Sequence, residues 1–409
     1  MTRRVVITGM GGISSLGADW QTIEGNLRLF KNCTIKMPEW EIFQGLRARL
    51  GAPILDYEVP AYYPRRKIRG MSRVSLLATT ATENALKMAG LLDNPSIKDG
   101  RCGVAYGSST GGTAAVADLG KLITEQSVYN INATTYVKMM PHTTAVNVGL
   151  FFGLKGRVIP TSSACTSGSQ AIGYAYEAIK AGYQKIMVAG GAEEFCPSEV
   201  AVFDVLYATS TLNDTPNLTP KPFDISRDGL VIGEGAGTLI LEEYEHAKAR
   251  GAKIYAEIVG FATNCDATHV TEPQQATMKI CIESALKNAC LTPDKIGYIS
   301  AHGTATSKGD IAETQATAAI FNKNTPISSL KSYTGHTLGA CGALEAWTAI
   351  EMMNNDWFHP TINLISPDPE CGNLDYIQGE GRNISTEYIQ SNNFAFGGVN
   401  TSLIFKKYL

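Results

Sequence analysis

Short β-branched runs that close on small residues and then give way to a helical rhythm recur along the chain. They begin at Arg3 ("RRVVITGMG"), Arg101 ("RCGVAYGSS"), Arg157 ("RVIPTSSAC"), Gln184 ("QKIMVAGGAEE"), Thr238 ("TLILEEYEHA"), Lys295 ("KIGYISAHGTAT") and Thr325 ("TPISSLKSYTGH"). Apolar runs this short, bounded by glycine and serine, predict largely buried strands; strand followed by helix, repeated, predicts an α/β fold. After Cys165, the positions Ala171, Ile172, Ala175, Ala178, Ile179 and Gly182 step by three and four. That spacing predicts a helix with one buried face and sets Cys165 at or near its N-terminus. The run "EYEHAKARGAKIYAEIVGF" reads as a helix, a stop at Gly251 and a new strand. A joint is expected there, dividing the chain into units over 1–250 and 251–409.

Length and composition narrow this picture. At 409 residues the chain exceeds the size at which a single core stops growing. With 44% hydrophobic and 18% charged residues and 40 glycines it has the balance of a compact α/β enzyme, and a net charge of −3 argues against a general nucleic-acid binder. Nine cysteines show no paired CxxC spacing and sit in apolar stretches, so buried thiols in a reducing compartment are expected, with neither a disulfide framework nor a metal site. No run approaches the roughly 20 apolar residues that span a bilayer, so no membrane association and a cytoplasmic location are expected. "GMGGISSLG" lacks the order of a dinucleotide-binding turn and reads as tight packing.

Which residues could do chemistry? A cysteine at a helix N-terminus faces unpaired N–H groups and about half a positive charge, which would favour a thiolate nucleophile; the alternative is a small, inert core residue. Among six histidines, His246, His269 and His359 have flanks of a helix surface or loop and no catalytic role is expected of them. His302 in "SAHGTATSKGDIAE" and His336 in "KSYTGHTLGACGALE" each follow a strand-like run and stand between small residues that let a substrate approach. Two such turns and one thiol on a third make a constellation.

The motifs "SSACTSG", "AHGTATSKGD", "KSYTGHTLGACGALE" and "NNFAFGGVN" together resemble, over essentially the whole chain, the β-ketoacyl-acyl carrier protein synthases, the elongating branch of the thiolase-like superfamily. The resemblance implies a thiolase-like fold: two related mixed-sheet halves in a layered αβαβα arrangement, the first carrying the cysteine and the second both histidines. It implies decarboxylative condensation of an acyl group, held on Cys165, with malonyl-acyl carrier protein, in fatty acid or specialised polyketide or polyene synthesis. By the same resemblance His302 and His336 hold the enolate oxygen, Lys331 and Glu345 set the local charge and orient the histidine, and the N–H groups of Cys165 and Phe396 form an oxyanion hole. Thr304 and Thr306 would hold the pantetheine arm, Thr110 would shape the acyl pocket, Phe394 would contact substrate, and Asp310 with Glu313 would be structural. No cofactor is implied, because substrates arrive on the carrier's phosphopantetheine.

The resemblance further implies acyl carrier protein as a partner, with Arg65, Arg66, Lys67 and Arg69 as a basic rim at the tunnel mouth for that acidic protein. It implies a homodimer, or a heterodimer with a related ketosynthase subunit. The usual alternating glycines before the gating phenylalanine are broken at Ala395, which predicts a stiffer loop. With Thr110 and His142, read either near the dimer-facing end of the pocket or as a core histidine, this departure points to a specialised product. Two competing readings are a thiolase, which would need a second cysteine where Phe396 stands, and a silent chain-length-setting subunit, which would be expected to lack Cys165. An initiating synthase would carry an asparagine in place of one histidine.

Overall fold

The computed structural model describes residues 3–129, 131–321 and 323–408. The predicted strands join three others in one 11-stranded sheet: β1 (Val5–Ser14), β2 (Cys102–Gly107), β3 (Val158–Thr161), β4 (Ile186–Glu193), β5 (Gly235–Glu243), β6 (Ala256–Cys265), β7 (Ile296–Ser300), β8 (Pro326–Ser328), β9 (Asp375–Tyr376), β10 (Tyr388–Phe394) and β11 (Val399–Lys407), of which β9, β10 and β11 are not singled out by the sequence pattern. Their order is β9-β8-β7-β10-β11-β6-β1-β5-β4-β2-β3. Outward from the central β1–β6 pair, the two sides repeat one plan. Each has an antiparallel neighbour (β5 or β11), a second antiparallel strand (β4 or β10), then parallel strands (β2 and β3, or β7 and β8). The halves meet where Val5 pairs Ile258 and Ile7 pairs Ala256.

Helices complete five layers. Outside the first half lie α1 (Arg73–Met88) and α2 (Thr143–Phe152); α3 (Ser167–Lys180) leads away from Cys165. Outside the second half lie α4 (Gln275–Ala289) and α5 (Ser307–Ala318), and α6 (Cys341–Asn354) follows the His336 turn. Helices α3 and α6 pack on each other between the two half-sheets, α3 touching β4 and β2 as well as β11, and α6 touching β5 and β10. This is the thiolase-like αβαβα arrangement. The predicted stripe Ala171, Ile172, Ala175, Ala178 and Ile179 is buried, and Gly182 terminates the helix region at φ +85°.

Small residues let these layers approach. A Cβ on Gly9 would sit 2.3 Å from the Ala85 carbonyl oxygen, so the glycine-rich first strand is a packing surface for α1. A Cβ on Gly191 would meet the Gly339 oxygen at 2.2 Å and the Gly168 Cα at 2.8 Å. Without these glycines the cysteine turn and the His336 turn could not come together.

Two expectations about burial are corrected. Cys196 is half-buried and Cys265 and Cys290 are exposed, although all nine thiols are free. His359 is 1% exposed under the Tyr333 ring, where burial pushes its pKa down to about 4; apolar contacts from distant elements override its loop-like flanks.

Candidate active site

Cys165 lies in a single 3₁₀ turn, Ala164–Thr166, that delivers the chain from β3 into α3. Ala164 adopts φ +50°, a left-handed conformation that costs an alanine on the order of 1–2 kcal/mol and turns the sulfur toward the opposite half. His302 follows β7, and His336 follows the one-turn helix Lys331–Thr334. The structure brings the three together. The Cys165 sulfur and a ring nitrogen of each histidine all lie within 4.8 Å of one another, with His336 Nε2 3.0 Å from the sulfur. The two rings stand edge to face, centroids 5.2 Å apart.

The hydrogen bonds on the far side of each ring assign its tautomer. Leu338 N–H donates to His336 Nδ1 at 3.2 Å. His302 Nδ1 faces the Lys331 ammonium at 3.1 Å and the Asn393 amide nitrogen at 3.3 Å, both donors. Each Nδ1 therefore accepts, and each proton is carried on Nε2. Burial, and then the Lys331 charge, hold both imidazoles well below the ordinary histidine pKa, so both are neutral donors at neutral pH. That arrangement does not suit a metal, since a ligating Nε2 needs its proton on an Nδ1 facing an acceptor.

Lys331 and Glu345 form a fully buried ion pair, joined on the carboxylate's other oxygen by Asn393 Nδ2 at 2.6 Å. Burial opposes the Lys331 ammonium, but Cys341, Glu345 and Glu313 around it outweigh that and keep it charged. Burial raises Glu345 against the pull of Lys331 and Asn393. The histidine this pair orients is His302. Two members of the site lie outside the sequence expectations: Asn393, and Cys341, whose sulfur donates to the Cys165 carbonyl at 3.3 Å.

The expected thiolate is corrected. Burial pushes the Cys165 thiol up to about 11, and the Lys331 charge and the N–H groups of Phe396 and Cys165 only partly oppose this. A helix N-terminus favours the anion, but removing the sulfur from water favours the neutral thiol more.

A cavity of about 400 Å³ opens onto Cys165, His302 and His336, with Thr304, Thr306, Phe394 and Phe396 on its walls. The threonine hydroxyls are 2.9 Å apart. Beneath them Asp310 accepts the N–H groups of Thr304 and Ala305, and Glu313 those of His302 and Gly303, so this acidic pair is structural. The Phe394 ring lies 6.3 Å from His302, and the Phe396 ring packs on Phe203 at 5.0 Å. Ala395 pairs its N–H with the Val399 carbonyl and does not occupy the left-handed region, which Gly397 (φ +86°) and Gly398 (φ +73°) take instead. Its Cβ causes no backbone strain in this loop conformation.

Three sets of expected site residues do not line this cavity. Thr110 does not line this cavity. Its hydroxyl stands 2.8 Å from both Glu193 Oε1 and Glu199 Oε1, ordering two buried carboxyls. His142 is exposed at the start of α2, neither in the cavity nor in the core. Arg65, Arg66, Lys67 and Arg69 are exposed on and after a one-turn helix, Arg65–Ile68, where Lys67 donates to the Phe151 carbonyl; none is on the cavity wall, whose cationic residues are Arg227 and Lys308. The Arg227 side chain, 2% exposed, pairs with Asp368 at 2.7 Å and donates to the Ser307 carbonyl at 3.1 Å, which pins the threonine loop.

Known proteins share this architecture and this length. The family model of the beta-ketoacyl synthase N-terminal domain matches residues 2–247, and that of the C-terminal domain matches residues 255–365. The 3-oxoacyl-[acyl-carrier-protein] synthase 2 of Synechocystis sp. is 37% identical over 99% of this chain and 98% of its own. The crystal structure of a beta-ketoacyl synthase from Burkholderia phymatum superposes with a TM-score of 0.99 at 58% identity, each chain covered in full. The ishigamide ketosynthase/chain length factor superposes with a TM-score of 0.91 at 28% identity, again over both whole chains. A sulfur facing two Nε2–H donors across the seam of a duplicated fold, on a chain matched from end to end, places this protein in the β-ketoacyl synthase family.

Proposed function

We propose that the protein is an elongating β-ketoacyl-acyl carrier protein synthase: it joins an acyl group, held as a thioester on Cys165, to malonyl-acyl carrier protein with loss of carbon dioxide. In the first half-reaction the Cys165 sulfur bonds to the acyl carbon of a carrier thioester. The oxyanion meets the N–H groups of Cys165 and Phe396, the carbon–sulfur bond to pantetheine breaks, and the cysteine proton leaves on the pantetheine thiol. The neutral thiol suits this exchange, because its proton moves only as the bond forms. The hydroxyls of Thr304 and Thr306 face the arm along the cavity wall.

In the second half-reaction the malonyl carboxylate departs as carbon dioxide and its bonding pair becomes an enolate. The two Nε2–H groups donate to the enolate oxygen; the enolate carbon then attacks the Cys165 thioester and displaces the sulfur as a thiolate, and one proton taken up from solvent through the open cavity restores the thiol. Fixed donors aimed at developing charge, in a site removed from water, give the strongest stabilisation such a site can supply. The observation that carries this reading is the pair of imidazoles beside the sulfur, each with a donor behind its Nδ1.

A partner subunit is part of the proposal, either a second copy or a related ketosynthase chain. Val116, Ile123, Tyr129 and Tyr136 are 47%, 78%, 96% and 59% exposed, and Val158 on the edge strand β3 is 46% exposed. Acyl carrier protein is the proposed second partner, named in the Synechocystis relative's own description. Among the described residues no helix is long and apolar enough to cross a membrane. The nine free thiols fit a reducing compartment such as the cytoplasm.

The test is to incubate the purified protein with acyl-carrier thioesters, saturated, unsaturated and aryl, and with malonyl-carrier. An acyl mass shift on Cys165, absent in Cys165→Ser, followed by a β-ketoacyl-carrier product, is expected. An unshifted Cys165 with every acyl donor would favour the silent chain-length partner. Preferred extension of ordinary saturated chains would set aside a specialised product.

A further inference from the structure

Behind His302 stands a donor that neither half-reaction, as written above, employs. Asn393 is the next-to-last residue of β10, fully buried, one step before Phe394, whose ring faces His302. Its amide nitrogen lies 2.6 Å from Glu345 Oε2 and 3.3 Å from His302 Nδ1. The short contact to a carboxylate oxygen requires the NH₂ group on that side, so the amide orientation follows from chemistry. Its NH₂ group then serves the carboxylate and the ring nitrogen, with the Cys341 sulfur at 3.9 Å, while Oδ1 has no partner. A side chain that leaves its own acceptor unsatisfied in order to present both donors is held by what it donates to.

We propose that Asn393 is a positioning residue for decarboxylation, completing with Lys331 the pair of donors that keeps the His302 proton on Nε2, facing the cavity. This inference rests on the function proposed above and deepens it. Lys331 alone is poorly suited to the task. Its ammonium also binds Glu345 Oε1, and when Asn393 no longer occupies Oε2 the carboxylate competes for that ammonium and draws it off the ring. Asn393 satisfies the second carboxylate oxygen, which frees Lys331 to face Nδ1 as well. His336 has no such dependence, because its Nδ1 is held by the Leu338 backbone. The consequence is an asymmetry between half-reactions. Acyl loading uses Cys165 and the backbone N–H groups, whereas enolate formation uses His302.

Two variants and one spectrum test this. Asn393→Leu, similar in volume but without donors, is expected to lower carbon dioxide release from malonyl-carrier about tenfold while Cys165 loading, read by mass, stays within about twofold. Asn393→Asp places a carboxylate acceptor at Nδ1, draws the proton to that nitrogen and is expected to lower decarboxylation about a hundredfold, with partial recovery as pH falls and the new carboxyl protonates. Nitrogen-15 NMR of histidine-labelled protein reads the tautomer without any substrate. His302 protonated on Nε2 in the parent and shifted toward Nδ1 in Asn393→Asp is the expected result. The proposal is overturned if the parent His302 carries its proton on Nδ1, if both variants decarboxylate at the parental rate, or if loading and decarboxylation fall together. If the unmutated protein neither loads nor decarboxylates while its spectrum shows an Nε2 tautomer that shifts in Asn393→Asp, the assigned function fails and the role of Asn393 in holding the His302 tautomer stands.

Discussion

Replacing Lys331 with methionine would test the electrostatic logic of the site most severely. Methionine matches the length of the stem but removes the ammonium from a position 1% exposed, leaving Glu345, 2% exposed, with Asn393 as its hydrogen-bond partner. Breaking one side of a buried ion pair costs about 3–5 kcal/mol when the surviving charge stays ionised. Glu345 has an escape, because burial already raises its pKa above the ordinary carboxylate value and loss of Lys331 raises it further. The folded state then binds that proton more tightly than the unfolded chain, so stability falls as pH climbs from the ordinary carboxylate range through the raised folded value. Thermal unfolding should show the smallest deficit against the parent near about pH 5 and the largest near about pH 8. The double variant Lys331→Met with Glu345→Leu should recover most of the stability at pH 8, since removing both charges leaves none stranded. It should not recover full decarboxylation, because His302 Nδ1 keeps Asn393 but has lost its charged donor; a hydrogen bond to a charged group is worth about 1.5–3 kcal/mol, or roughly ten- to 150-fold in rate. A Lys331→Met protein as stable as the parent at pH 8, or a double variant with parental carbon dioxide release, would refute this reasoning.

Protonation and hydrogen bonding at two other positions are equally open to measurement. Because burial pushes the Cys165 thiol up to about 11, its alkylation by a small uncharged reagent should keep accelerating from neutral pH toward the limit of stability; a plateau below about pH 8 would show an anionic resting sulfur. Thr110→Val removes the hydroxyl between Glu193 and Glu199, both raised by burial, and should lower the melting temperature by the equivalent of about 1–3 kcal/mol at pH 8 and less under acidic conditions where the carboxyls are neutral. Unchanged melting across that range would mean that the hydroxyl orders neither carboxyl.

Much of the architecture is local information, and it was legible for that reason. Strand runs ending in glycine or serine, and the three-and-four spacing after Cys165, depend on which side chains neighbour each other along one element. The turns bearing Cys165, His302, Lys331 and His336 announce themselves by small residues after an apolar run. The left-handed conformations of Ala164, Ala305 (φ +64°) and Leu338 (φ +45°), each within three residues of a reactive side chain, were hidden, because alanine and leucine do not advertise a backbone that glycine normally takes. Asn393 was hidden for a different reason: it reads as one polar residue in a strand, and its meaning lies in Glu345 and His302, 48 and 91 positions away.

The order of residues by itself determined the repeated strand–helix plan, the reactive side chains and the turns that carry them, since each follows from contacts within a few positions. Tertiary structure alone decided their charge. Bringing the two half-sheets around α3 and α6 takes Cys165, both histidines, Lys331 and Glu345 out of water together, so that the thiol is neutral, the imidazoles are donors and the ion pair persists. The same assembly moved the basic run at Arg65–Arg69 away from the cavity and buried His359, neither of which neighbours in sequence could report. Protonation depends on desolvation and on charges within a few ångströms, and those distances exist only after distant segments have packed.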